Sequence, residues 1–252
     1  MIQKTFKRYE KKYLLSPQQY RTVRQGIKER MQPDQYGLYT ICSIYFDTDN
    51  FQLIRSSLEK PVYKEKLRLR SYGVAAPGGE VFLELKKKYK GIVYKRRITL
   101  PEDAAGEFIA GHAPLGEHGQ IGREIAYMLR RYRLRPAVLL AYDRTAYTEL
   151  EPSPNQLRIT IDRDIRSRQT DLDLRLGAAG ESLLAPGMRL MEIKTAHAIP
   201  LWLCAALDQN EIRPTSFSKY GRVYEARMRA GQARAMRPAA VKGGVCDAVC
   251  HV

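Results

Sequence analysis

Residues 64–70, KEKLRLR, alternate charge and leucine with a period of two. Read as a β-strand, successive side chains point to opposite faces. Lys64, Lys66, Arg68 and Arg70 then line one face, and Glu65, Leu67 and Leu69 the other. Same-face neighbours stand roughly 7 Å apart, so the four cations repel one another. On an open surface salt screens that repulsion; in an enclosed site it calls for anions. The period recurs along the chain. VFLELKKKY (81–89) sets Phe82, Glu84, Lys86 and Lys88 against Val81, Leu83 and Leu85, and GIVYKRRITL (91–100) groups Val93, Lys95 and Arg97. LLAYDRTAY (139–147) groups Tyr142, Arg144 and Ala146, while LRITIDRDI (157–165) sets Arg158, Thr160 and Asp162 against Leu157, Ile159 and Ile161. RLMEIKTA (189–196) places Glu192 and Lys194 with Leu190, and FKRYEKKYLL (6–15) places Arg8, Glu10 and Lys12 together. A sheet with an apolar outside and a charged inside predicts a closed barrel with a polar lumen. A polyphosphate chain or a nucleoside triphosphate is the guest such a lumen suits.

The segments between these strands carry helix signals. Ser16 followed by Pro17 is a capping hydroxyl with proline at the first helical position, opening a helix that runs to about Met31. Residues 39–47 (YTICSIYFD) read as a strand, with Ile41, Ser43 and Tyr45 on one face, and Asp49 or Asn50 as the cap of a short helix through Leu58. Ala75, Ala76, Pro77, Gly78 and Gly79 form a hairpin loop, and Lys90 with Gly91 turns the next hairpin. Residues 101–110 and 117–134 are predicted helices, the second with an Ile121, Ile125, Met128 and Leu129 stripe. Residues 151–155 join two strands, and 167–187 read as an irregular connection. A helix at 200–209 carries Trp202, Leu203 and Leu207, and a final one at 216–228 packs Val223 and Tyr224. One domain is expected over 1–229, followed by a disordered basic tail over 230–252.

Composition narrows the partners. Of 252 residues, 43 are Lys or Arg and 27 are Asp or Glu, a net charge of +16 that points to polyanions. No run of about 18 apolar residues predicts a membrane span, and the first residues lack the apolar core of a signal peptide. Cys42, Cys204, Cys246 and Cys250 are too scattered for a disulfide framework, which suits a reducing cytoplasm. Cys246, Cys250 and His251 lack a fourth metal ligand. There is no GxxxxGK[ST] loop, no GxGxxG after a strand, no HExxH and no GxSxG elbow. What remains is a set of cations with a few carboxylates, the equipment of phosphoryl transfer by positioning and charge neutralisation.

In order along the chain, RYEKKYLL, SIYFDT (43–48), KLRLRSYG, FLELKKKYKGIVYKRR, YDRTAY, LRITIDRDI, MEIKT and FSKYGR resemble the VTC domain family, polyphosphate polymerases of the triphosphate tunnel metalloenzyme superfamily. The resemblance spans roughly residues 5 to 228. It implies an α+β fold built on a closed antiparallel eight-stranded tunnel with flanking helices. It also implies a divalent metal, Mn²⁺ or Mg²⁺, and transfer of the ATP γ-phosphate to a growing polyphosphate chain. Carried onto matching positions, Lys12, Arg68 and Arg70 hold the phosphates, and Lys86, Lys95, Arg144 and Arg158 continue the lining. Glu192 is the metal carboxylate, and Ser218 and Lys219 close the site from the last helix. Lys66 and Lys194 share those faces and join the substrate-binding set. Glu10 matches a first-strand acid that sister families use for metal, although its alternation with Arg8 and Lys12 equally suits an ion pair. Asp162 is open in the same way.

Arginine forks suit phosphate geometry, and a hard divalent ion that bridges phosphates needs only one or two protein carboxylates. The acceptor, a phosphate oxygen, is already ionised, so no histidine base is required. Two rival readings stand beside this one. A triphosphatase would use water as acceptor in the same tunnel; sister families that do so are commonly richer in tunnel glutamates. A non-catalytic polyphosphate-binding module would hold the chain only. A nucleic-acid groove would want aromatic platforms beside the cations; sixteen tyrosines leave that open, and no specific nucleic-acid partner is expected. Membrane contact is expected to be peripheral at most, through the basic surface.

Overall fold

The computed structural model describes residues 9–90, 92–112, 118–151 and 153–235. In chain order the elements are β1 (Tyr9–Leu15), α1 (Pro17–Arg30), β2 (Met31–Asp47), α2 (Gln52–Leu58), β3 (Tyr63–Tyr72), β4 (Glu80–Tyr89), β5 (Ile92–Pro101), α3 (Glu102–Ala110), α4 (Gly119–Tyr132), β6 (Arg135–Glu149), β7 (Arg158–Arg168), β8 (Glu181–Ser182), β9 (Arg189–Thr195), α5 (Leu201–Gln209) and α6 (Lys219–Ala235). The strands form one nine-stranded antiparallel sheet in the order β1-β9-β7-β6-β2-β3-β4-β5, with β8 paired to β7.

The period-two pattern explains which face is covered. Leu67 and Leu69 of β3, Leu83 and Leu85 of β4, and Ile98 of β5 are buried against Phe108 of α3 and Ile125, Met128 and Leu129 of α4. Tyr13 and Leu15 of β1, Ile159 and Ile161 of β7, and Met191 and Ile193 of β9 are buried with Val23 and Ile27 of α1 and Leu203 and Leu207 of α5. Each such side chain contributes about 1.5–3 kcal/mol of burial free energy, and together they fix the register that turns the charged positions to the other face. That inner face is itself partly covered, where Tyr220 and Val223 of α6 pack with Val138, Leu140 and Ile54.

The helix signals hold with two instructive differences. Ser16 and Gln19 cap α1 reciprocally: the Ser16 hydroxyl accepts from the Gln19 N–H at 3.2 Å and the Gln19 side chain accepts from the Ser16 N–H at 2.9 Å. The α2 cap is not Asp49 or Asn50. Phe51 takes a left-handed conformation, φ 59°, and this turns the first helical N–H groups back towards the strand end. There Asp47 accepts from Leu53 and Ile54 at 2.8 and 3.0 Å, and from the Tyr220 hydroxyl at 2.9 Å. β2 begins at Met31, well before the expected 39, and tolerates Pro33 because the register shifts between Pro33 and Leu38. α6 continues to Ala235, past the expected start of a disordered tail. The remainder of that tail, Arg8, and Cys246, Cys250 and His251 lie outside the described residues.

The closed eight-stranded barrel needs correction. The hydrogen-bonded path has two ends, β1 and β5, and no ladder joins them among the described residues. The reason lies at the outer edge of β1. The Thr215 N–H donates to the Lys12 carbonyl at 2.7 Å, and Tyr13 bridges Pro214. Proline has no N–H to extend that contact into a ladder, so the segment before α6 fills the edge without continuing the sheet. β5 stays an edge strand, blunted by exposed Lys95 and Arg97. The sheet nevertheless curls: Lys86 of β4 and Lys95 of β5 stand in the electrostatic field of Glu10 in β1 and Glu192 in β9.

Candidate functional site

Three ion-pair groups occupy the inner face. In the first, β3 and β4 pair Arg68 with Glu84. The Glu84 carboxylate accepts from Arg68 Nε at 2.6 Å and lies 3.8 Å from Arg70 Nε. Arg68 also donates to the Tyr45 hydroxyl at 3.1 Å, and Arg70, only 8% exposed, donates to Ser43 Oγ at 3.3 Å. Burial pushes the Glu84 carboxyl up, but Arg68 and Arg70 outweigh it and hold it below the usual range. Burial likewise opposes ionisation of Tyr45. Arg68, Arg70 and Lys66 overcome that and bring the phenol down to about 7.

The second group joins the sheet to α6. Arg144 of β6 forks onto Asp162 of β7, Nε to Oδ1 at 2.6 Å and Nη2 to Oδ2 at 2.9 Å. Lys219 reaches the same Oδ2 at 2.5 Å. The Tyr142 ring underlies both cations, 5.2 Å from the Arg144 guanidinium and 4.2 Å from Lys219 Nζ. Asp162 is 1% exposed; desolvation raises its carboxyl, and Lys219 and Arg144 more than reverse that. One residue earlier, Ser218 Oγ accepts from the Gly221 N–H at 3.1 Å and from Lys66 Nζ at 3.3 Å. Gly221 allows this close seat, since a Cβ there would stand 3.0 Å from Leu58. Lys66 is pulled down to about 8, by desolvation first and then by Lys64, Lys86 and Lys12, against the opposing pull of Tyr45.

The third group lies on β1 and β9. Lys12 Nζ sits between Glu10 at 3.5 Å and Glu192 at 3.7 Å, and donates to the Phe217 carbonyl at 3.3 Å. Lys194 Nζ meets the other Glu192 oxygen at 2.5 Å. Desolvation raises the Glu192 carboxyl, but Lys194, Lys12 and Arg144 drive it down to about 2. Lys86 and Lys95 keep solvent-exposed side chains, yet each is lowered, first by the desolvation that the curled sheet imposes on its ammonium. In β7, beside Glu192 in the ladder, the buried Thr160 hydroxyl has no hydrogen-bond partner.

The carboxylates bear on a metal. Among the described residues no three His, Cys, Asp or Glu side chains gather as a cage. Glu10 and Glu192 share one ammonium, and both Glu192 oxygens are engaged by lysines. The pair therefore does not fit an ion held by protein alone. It fits a divalent ion that arrives with phosphate oxygens and takes one or two carboxylates.

Of the residues singled out in the sequence, Arg68, Arg70, Lys86, Arg144, Lys219, Lys12, Lys66, Lys95, Lys194, Ser218, Glu192 and Glu10 lie on this face or at the mouth of α6. Arg158 is set apart at the rim, 48% exposed in its side chain and paired with Asp34 at 3.2 Å. Sequence reasoning passed over Glu84, Ser43, Tyr45 and Tyr142 as site residues. Alternation puts them on the inner face, but without the partner strand nothing marks which acid, hydroxyl or ring touches an arginine.

The VTC domain matches residues 7–227 of this sequence. The chain belongs to the VTC domain family. Solved structures with a similar course include a candidate adenylate cyclase from Vibrio parahaemolyticus, at 13% identity, TM-score 0.49, covering 88% of this chain and 99% of that one. HpAC1 from Hippeastrum, solved with a dominant triphosphatase activity, aligns at 17% identity and TM-score 0.48 over 88% of this chain and 95% of its own.

Proposed function

We propose that this VTC-family protein is a metal-dependent polyphosphate polymerase that transfers the γ-phosphate of ATP to the end of an inorganic polyphosphate chain. One observation carries the reading: the inner-face carboxylates Glu84, Asp162 and Glu192, the second buried and the other two half-buried, are each already engaged by cations. Glu84 is held by Arg68 and Arg70, Asp162 by Arg144 and Lys219, and Glu192 by Lys12 and Lys194. Water as acceptor would have to be positioned and give up a proton, and these three carboxylates are already paired with cations. A polyphosphate end is ionised already and needs only to be brought in line and freed of repulsion.

In this reading Arg68, Arg70 and Arg144 grip the donor phosphates through the N–H groups not spent on Glu84 and Asp162. Lys66, Lys86, Lys95 and Lys194 continue the cationic track for the product chain, and Lys12, Ser218 and Lys219 hold its inner end. Arg158 steers anions at the rim. Glu192 and Glu10 would hold a Mn²⁺ or Mg²⁺ ion. Such an ion would supply charge neutralisation for the phosphates held there. No helix among the described residues is long and apolar enough to cross a membrane; a cytoplasmic site of action with at most peripheral membrane contact belongs to the same proposal.

The test is product analysis with ATP and Mn²⁺ or Mg²⁺, with and without a short polyphosphate primer. Long chains on a gel support the polymerase. Free phosphate released in proportion to ATP, with no chain growth at any primer concentration, replaces it with a triphosphatase. Binding without turnover leaves a polyphosphate-binding module.

A further inference from the structure

We propose that Tyr36, Tyr39, Tyr72 and Phe82 form a stacking platform for the base of a nucleoside triphosphate whose phosphates lie on the adjoining arginines. The inference rests on the phosphate-handling reading of the inner face and adds a subsite to it. The four rings run as a file across β2, β3 and β4. Their centroids are 6.0 Å apart from Tyr36 to Tyr39, 6.0 Å from Tyr39 to Tyr72, and 5.6 Å from Tyr72 to Phe82. Alternation places Tyr72 on the face of Arg68 and Arg70, and Phe82 on the face of Glu84. In the ladders Tyr39 stands opposite Arg144, and Phe82 opposite Arg70. The rings therefore begin where the arginines end. The rings meet edge-to-face or tilted, at 72°, 59° and 70°, and the Arg97 guanidinium, 4.6 Å from the Phe82 ring centroid, adds a cation at the end of the file.

Exposure sets Tyr36 and Tyr72 apart from core aromatics, with Tyr39 and Phe82 half-buried between and beside them. Tyr72 is 51% exposed and Tyr36 67%, whereas the opposite face of β3 and β4 is buried under α3 and α4. Every nucleobase offers a π-face to such rings without demanding a matched hydrogen bond. Inorganic triphosphate and polyphosphate have nothing to place there. The platform thus separates a nucleotide donor from a purely inorganic one, at a site distinct from the cations that both would share.

The experiment compares dissociation constants for ATP and for inorganic tripolyphosphate by calorimetry, in the wild type and in Tyr72→Ala and Tyr36→Ala. Both positions are open to solvent, so the variants keep the fold, which a thermal melt checks. Loss of a stacking ring weakens base binding by about tenfold. ATP affinity is expected to fall by about that factor in Tyr72→Ala and by less in Tyr36→Ala, with tripolyphosphate unchanged and Tyr72→Phe close to wild type. An unchanged ATP-to-tripolyphosphate ratio in both alanine variants overturns the platform while leaving the phosphate site intact. Failure of wild type to bind either ligand overturns the phosphate-handling reading, and the platform with it.

Discussion

Arg144 holds Asp162 by both carboxylate oxygens, at 2.6 and 2.9 Å, in a part of the structure almost closed to water. Because Lys219 shares one of those oxygens, a single buried charge compensates two cations and ties α6 to the sheet. Breaking a buried pair from one side leaves uncompensated charge and costs about 3–5 kcal/mol. Asp162→Asn should therefore lower unfolding free energy by about that amount in urea titrations. Tripolyphosphate should restore more stability to the variant than to the wild type, since an anion can take the missing role. A wild-type midpoint in anion-free buffer would contradict this account.

Tyr45 and Lys66 should set the pH response of the proposed anion binding. The phenol loses its proton near 7 and adds a negative charge beside Arg68; Lys66 loses a positive charge near 8. Both changes weaken binding as pH rises. Tyr45→Phe removes the first, so calorimetric affinity for tripolyphosphate should diverge from wild type above pH 7, with the variant binding more tightly. Below pH 6 the two should nearly coincide. Parallel curves from pH 6 to 9 would show that the phenol does not titrate there.

How much of this was readable beforehand follows from what alternation can encode. The period-two pattern placed Arg68, Arg70, Lys86 and Glu192 on one face correctly because each strand has a buried opposite face that fixes its parity. Sheet closure was not readable, since it depends on Pro214 and Thr215 occupying the edge of β1, a contact some two hundred residues away in sequence. The α2 cap was missed for a related reason. A left-handed Phe51 is rare for a bulky residue, and only the packed position of Tyr220 against Asp47 makes sense of it. Charge was legible, whereas the neutral groups that organise it, Tyr45 and Ser43, became visible only with their partners.

Glu84 predicts an acid limit. Its folded-state carboxyl lies below the ordinary value of 4.5, with burial opposing and Arg68 and Arg70 prevailing. A depressed carboxyl contributes stability that is complete above the unfolded value and is lost as pH falls through the folded one. The stability advantage of wild type over Glu84→Gln should thus be constant above about pH 5 and shrink below 4.5, by at most ~1.4 kcal/mol per pH unit. Denaturant midpoints measured from pH 3 to 7 check this. A difference that stays flat down to pH 3 would remove the electrostatic role assigned to Glu84.

Lys12 makes the last prediction, because its ammonium stands where two carboxylates converge. Glu10 and Glu192 approach it at 3.5 and 3.7 Å from either side. While Lys12 remains there it both satisfies those carboxylates and repels any second cation. An incoming phosphate would draw the ammonium away and leave the pair facing a divalent ion, which favours binding of metal and polyanion together over metal alone. Replacing Lys12 by Met keeps the length of the side chain and removes the charge, so the carboxylates lose their competitor. With the released interaction on the order of 1 kcal/mol for a partly exposed pair, Mn²⁺ should bind the Lys12→Met variant severalfold more tightly than wild type in the absence of nucleotide. The same variant should bind tripolyphosphate more weakly when no metal is present. Electron paramagnetic resonance titration of free Mn²⁺ gives the first quantity and calorimetry the second. Equal Mn²⁺ affinity in both proteins would mean that Glu10 and Glu192 do not converge on a cation, and the metal role proposed for them would fail.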